Sequence, residues 1–142
     1  MRKKIFFTFY FFIVSISLFA QQQEEEVKVV DTPPIARGCD PEADNAQLKA
    51  CFTRIVSEQI VNKLNFSYIR KQDLKPGQYT VRTFFSIDSK GRVRDVRAEF
   101  PNQKIAKHFV RAVKSIATVE PAYLDGEPVK IFYTMPFKFG ID

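Results

Sequence analysis

The stretch QYTVRTFFSIDSKGRVRDVRAEF, residues 78–100, reads as one antiparallel hairpin. Tyr79, Val81, Thr83, Phe85 and Ile87 alternate with polar Arg82 and Ser86, the period-two signature of a strand with one buried face. Asp88–Ser89–Lys90–Gly91 interrupts the pattern as a turn, with Gly91 free to take a positive φ. From Arg92 to Phe100 the alternation resumes but slips, because Val93 and Val96 lie three apart instead of two. One extra residue restores the register, so a β-bulge is expected near Arg94–Asp95.

Working upstream, Leu48, Cys51, Phe52, Ile55, Val56, Ile60 and Leu64 recur at helical spacing. They predict an amphipathic helix from a cap at Asp44 or Asn45 to about Asn65. Lys75–Pro76–Gly77 turns the chain into the first strand. Downstream, Asn102 caps a second helix to about Thr118. Ile105, Phe109, Ala112, Val113 and Ile116 face inward, and Lys104, Lys107, Arg111 and Lys114 lie on the other side. Glu120–Pro128 reads as a loop, and Val129–Phe139 as a last strand in which Val129, Ile131, Tyr133 and Met135 alternate with Lys130 and Thr134. Pro136 cannot donate a ladder hydrogen bond, which puts that strand at an edge. The order α-β-β-α-β predicts an α+β domain: a three-stranded antiparallel sheet with two helices on one face.

The first residues have a different character. Basic Arg2–Lys4, apolar Ile5–Phe19 and small Ala20 precede polar Gln21–Gln23 and acidic Glu24–Glu26, the order of an export signal cleaved between Ala20 and Gln21. As an uncleaved anchor, Ile5–Ala20 would give a helix of roughly 24 Å, short of the roughly 20 apolar residues a bilayer core needs. The expected division is a signal peptide at 1–20, a polar tether at 21–37 containing Pro33 and Pro34, and a folded domain at 38–142. Export suits the only two cysteines, Cys39 and Cys51, as a disulfide. A zinc or redox pair is disfavoured, because there is no C-x-x-C and the single histidine, His108, is the one further soft ligand.

Charge narrows the partner class. The 22 Lys and Arg against 16 Asp and Glu give a net of +6, but Arg2, Lys3 and Lys4 belong to the leader and only +3 remains without them. That balance does not single out nucleic acid or an anionic membrane. Arg82, Arg92, Arg94 and Arg97 form a basic strip with Phe84 as its one clear aromatic, short of the stacking row that single-stranded nucleic acid requires. No G-x-S-x-G, H-E-x-x-H or Gly-rich phosphate loop occurs. Asp88, Asp95 and Glu99 read as turn and surface acids, and His108 as a boundary residue of its helix. No catalytic residue, metal or cofactor is expected.

An ordered set of short motifs does carry a resemblance. Phe66–Ser67 is followed by Gly77, by Phe84–Phe85–Ser86–Ile87–Asp88, and by Lys90–Gly91–Arg92–Val93 with Asp95–Val96 in a D-x-x-G-x-V-x-x-V hairpin. Ala112–Val113, Glu120–Pro121–Ala122, Gly126 with Val129, and Pro136–Phe137–Lys138–Phe139 complete it. With the Gly38–Cys39–Asp40 and Cys51–Phe52 preface, residues Arg37–Asp142 resemble the C-terminal domain of the TonB family, the envelope energy transducers of double-membraned bacteria, in the branch with that preface. Phe66–Ser67 stands where members usually carry Tyr-Pro, and Thr118–Val119 where an aromatic usually precedes Glu-Pro.

The resemblance implies a periplasmic binding module linked to transmembrane transport, without enzymatic activity. It implies docking of a segment of an outer-membrane transporter, or of a related envelope protein, as an extra strand beside the last one. The residues so implicated are Ile131, Phe132, Tyr133, Thr134, Met135 and Phe137, with Asn65 nearby. An open edge also permits a homodimer by strand exchange. The alternative is a structural envelope protein that self-associates or docks an acidic partner through the cationic helix, with no energy-transducing role. The short tether stands where a full transducer has an anchor and a long Pro-rich span, and membrane contact follows only if the leader is retained.

Overall fold

The computed structural model describes residues 29–142, so the leader, its cleavage position at Ala20–Gln21 and residues 21–28 lie outside the described residues. Strands β1 (Gly77–Ile87) and β2 (Val93–Glu99) form the expected hairpin. Phe84 faces Arg97 while Ser86 faces Arg94, so Asp95 and Val96 share the place opposite Phe85. Asp95 takes a φ of 52°, and this bulge turns both Val93 and Val96 toward the core. In the turn, the Asp88 carboxylate accepts from the N–H groups of Lys90 and Arg92, each at 2.9 Å, and pairs with the Arg92 and Arg94 guanidiniums at 3.2 Å. Partial burial raises its pKa, but these donors outweigh burial and pull it down to about 2.

Helix α1 (Asn45–Lys63) begins where the Asp44 side chain accepts from the Gln47 N–H, and it buries Leu48, Phe52, Val56 and Ile60. The expected end at Asn65 is replaced by a break at Leu64 and a further five-residue helix, α2 (Phe66–Arg70), capped by Asn65. Helix α3 (Gln103–Lys114) is capped by Asn102 through the N–H groups of Lys104 and Ile105. It stops at Ser115, short of the expected Thr118, and Ile116 is still buried beyond it.

Strand β5 (Ile131–Ile141) pairs antiparallel with β1 over its full length, giving a three-stranded sheet in the order β2-β1-β5. One cluster joins α1, α3, Phe85, Ile87 and Met135, and a second joins Ile69, Val81, Phe100, Ile105 and Phe109. Both helices therefore lie on one face of the sheet, in an α+β arrangement. Burying rings such as Phe52, Phe85 and Phe109 stabilises the fold by about 1.5–3 kcal/mol each.

Two further sequence expectations are corrected. The loop Glu120–Pro128 contains a second hairpin, β3 (Ala122–Leu124) with β4 (Glu127–Val129), so Val129 belongs to it and not to the last strand. The tether expected to run to Arg37 is bound to the domain from Val30 onward. Ile35 and Glu120 exchange backbone hydrogen bonds, Tyr123 donates to Thr32, and Val30, Pro33, Pro34 and Ala36 are buried. The folded unit thus starts before residue 38, with the strap 30–36 closing one end of it.

Cys39 and Cys51 form a disulfide with their Cα atoms 5.9 Å apart, tying this strap to the first turns of α1. Replacing both by serine is expected to lower stability by about 3 kcal/mol, the chain-entropy value for so short a loop. Urea unfolding of the double variant beside the oxidised parent measures it, and equal midpoints would refute a stabilising role.

Candidate functional site

The sheet has two edges of unlike character. β2 is seven residues long, bulged at Asp95–Val96, and carries Arg94 and Arg97. Short length, a bulge and charge are the devices that blunt an edge against further pairing. β5 runs eleven residues without a register shift against β1, and among the described residues no strand lies on its other side.

Which β5 groups face outward follows from β1. The Asp88 N–H donates to the Arg92 carbonyl at 2.9 Å, so even-numbered residues of β1 direct their backbone groups toward β2 and odd-numbered ones toward β5. Thr83, Phe85 and Ile87 face Met135, Tyr133 and Ile131. Those three β5 residues therefore spend their backbone N–H and C=O on β1. The Thr83 hydroxyl donates to the Met135 carbonyl at 2.9 Å, which fits that orientation. Phe132, Thr134 and Pro136 then direct theirs away from the sheet. Pro136, which has no N–H, sits where none is needed for the ladder.

Side chains divide the same strand the other way. Ile131, Tyr133, Met135 and Phe137 point to the helices, where Tyr133 packs on Phe52 and Phe85 with ring centroids 4.8 and 5.5 Å away, and Phe137 packs on Phe109 at 5.7 Å. Burial raises the Tyr133 phenol pKa well above its ordinary value. Phe132 and Thr134 point to the open face. Of the six β5 residues implicated by sequence, only these two direct both side chain and backbone away from the core and from β1; the side chains of the other four pack toward the helices.

Asn65, expected near the last strand, makes its hydrogen bonds to the helices. Its side chain caps α2 by accepting from the Tyr68 N–H at 2.9 Å, and its N–H donates to His108 Nε2 at 2.8 Å. Among the described residues none of its hydrogen bonds reaches β5. His108, read from sequence as a boundary residue, is thus a bracket between α3 and the start of α2, with the Tyr68 ring 5.1 Å away. A backbone N–H only donates, so Nε2 must carry the lone pair and the imidazole must be neutral. Burial, and then the Arg111 charge, lower the His108 pKa from 6.5. As pH falls through 6.5 the unfolded chain takes up this proton before the folded one, so stability falls with it. Urea unfolding at pH 7.5 and 5.5 should show the parent losing stability at the lower pH by more than His108→Gln does; equal losses would refute the bracket.

On the open face, Phe84, Phe85, Asp95, Arg97, Phe132, Tyr133 and Thr134 line a pocket of about 300 Å³. The Arg97 guanidinium lies 3.7 Å from the centroid of Phe84, and Lys130 lies 5.0 Å from that of Phe132 while pairing with Asp95 at 2.9 Å. Ser86 donates to Asp95 at 2.6 Å. That bond and the Lys130 pairing outweigh desolvation and hold the Asp95 pKa low. The geometry offers pairing groups and an aromatic-walled recess. Among the described residues no group of three or more His, Cys, Asp or Glu is placed to hold a metal ion, and no helix is long and apolar enough to cross a membrane.

No family model matches the chain, and no curated protein matches it. Among solved structures, the NMR solution structure of the TonB C-terminal domain from Helicobacter pylori is similar at 19% identity and a TM-score of 0.44, covering 75% of this chain and 92% of that one. At that level of likeness the case for function rests on the residues of this chain.

Proposed function

We propose that the chain is an exported binding module of the cell envelope, of the TonB C-terminal kind, which takes up an extended segment of an outer-membrane transporter or related envelope protein as a fourth strand beside β5. The observation that carries this reading is the regular eleven-residue edge of β5, open on one side and opposed by a second edge that is short, bulged and charged. Strand addition draws affinity from backbone hydrogen bonds, which the outward groups of Phe132 and Thr134 supply without rearrangement. The motif order from Gly77 to Phe139 and the signal-like leader support the envelope setting. No catalytic step is part of the proposal.

The test is a titration of the 15N-labelled domain with a synthetic peptide from the periplasm-facing segment of an outer-membrane transporter of the same organism. Saturable shifts concentrated on the Phe132 and Thr134 amides support the reading. Shifts confined to the cationic face of α3, and abolished by salt, would instead support docking of an acidic partner there. Mass spectrometry of the native N-terminus adds the compartment: a chain starting at Gln21 is a free periplasmic module, and a retained Met1 an anchored one.

A further inference from the structure

The open face bordering β5 is not uniform along the strand. Beside Phe132 and Thr134 lies the pocket of about 300 Å³ walled by Phe84 and Phe132. Along its walls Arg97 lies over Phe84 and pairs with Glu99 at 2.6 Å, and Lys130 lies near Phe132 and pairs with Asp95. Thr134, small and exposed, belongs to that lining on the edge strand. Further along, Arg82 faces Pro136, and Lys138, paired with Thr80, stands two residues beyond Pro136 on the same face. Both cations are exposed, and among the described residues no carboxylate pairs with either. Glu99, across the sheet from Arg82, is taken by Arg97.

A strand added to β5 places every second side chain over this face, so residues opposite Thr134 and Lys138 are four apart in its own sequence. We propose that the partner segment is chosen by that pair: an aromatic side chain opposite Thr134, reaching across it into the pocket, and a carboxylate opposite Lys138, shared with Arg82. This rests on the reading of β5 as a docking edge and gives that edge its selectivity. The pocket supplies apolar area that a ring fills and a short side chain does not. The two cations lack a counter-charge that an acidic residue brings. Pro136, between the two subsites, offers a carbonyl but no donor, which sets them apart as two short paired stretches.

The experiment is selection of random nine-residue peptides displayed on phage against the full domain, with counterselection on Thr134→Pro. Enriched peptides should carry Phe, Tyr or Trp four residues from Asp or Glu. Changing that ring to alanine in a synthetic copy should weaken binding about tenfold or more. Thr134→Tyr, which fills the pocket and leaves the backbone donor in place, should remove the aromatic preference alone. Arg82→Gln with Lys138→Gln should remove the carboxylate preference, weaken binding about fivefold and flatten its salt dependence. Peptides that need the Thr134 donor but show no such spacing would overturn this inference and leave the docking edge standing. If no peptide distinguishes the domain from Thr134→Pro, the docking edge falls and this inference with it.

Discussion

Gly91→Ala is expected to lower stability by about 3 kcal/mol or more, the largest loss from an alanine placed at any of the described glycines. Gly91 is buried in the β1–β2 turn at φ 76°, a region where a side chain costs about 1–2 kcal/mol. A Cβ there would overlap the carbonyl oxygen of Val119. The turn approaches that closely because the Val119 N–H donates to the Gly91 carbonyl at 2.9 Å. Val119 is buried and leads directly into Glu120, which pairs with Ile35 of the strap. Relieving the overlap therefore breaks one hydrogen bond, worth about 1 kcal/mol, and loosens the junction of sheet, second hairpin and strap. Gly126→Ala is the control, since Gly126 has a similar φ of 78° but nothing within 4 Å of an added Cβ. It should cost only the conformational penalty. Urea unfolding of the two variants decides: equal losses would mean that the close approach to Val119 contributes nothing.

The first hairpin, the two long helices and the edge position of the last strand were legible in the sequence because each rests on a local pattern: alternation, helical spacing, or a proline without a donor; the five-residue α2 is too short to show a period. The slip between Val93 and Val96 located the bulge for the same reason. The second hairpin was missed although its signal was present. Asp125–Gly126 is a two-residue turn pair, and both residues take positive φ, 50° and 78°. Strands of three residues leave no alternation to count, so that signal stood alone. The strap 30–36 was illegible for a different reason. Its hydrogen bonds run to residues about ninety positions away, and a Pro-containing stretch looks like a linker until its partner is known. The candidate site was half legible. Sequence could name the β5 residues, but which of them face outward depends on the phase of the Asp88–Arg92 bond, and the His108–Asn65 bracket depends on how α2 meets α3.

Two prolines three residues apart on β5, and so on opposite phases of its backbone, should have opposite effects. At Ile131 the N–H faces β1, opposite Ile87, at the end of the sheet next to β4. Ile131→Pro removes a ladder bond and disturbs a side chain packed against the main cluster, so it should destabilise the fold by about 2–4 kcal/mol and weaken binding only to the extent that the domain unfolds. At Thr134 the N–H faces away from the sheet and the side chain is exposed. Thr134→Pro should keep the urea midpoint close to that of the parent, since edge strands accept proline where the N–H points outward. It should also abolish strand addition, because Pro136 already lacks a donor and two successive outward donors are then missing from one five-residue stretch. Unfolding midpoints and peptide titrations on both variants separate the cases. A folded Thr134→Pro that binds as tightly as the parent would place the partner elsewhere than on β5. A Thr134→Pro that unfolds while Ile131→Pro stays native would reverse the phase assigned to the strand, and with it the identity of every outward group.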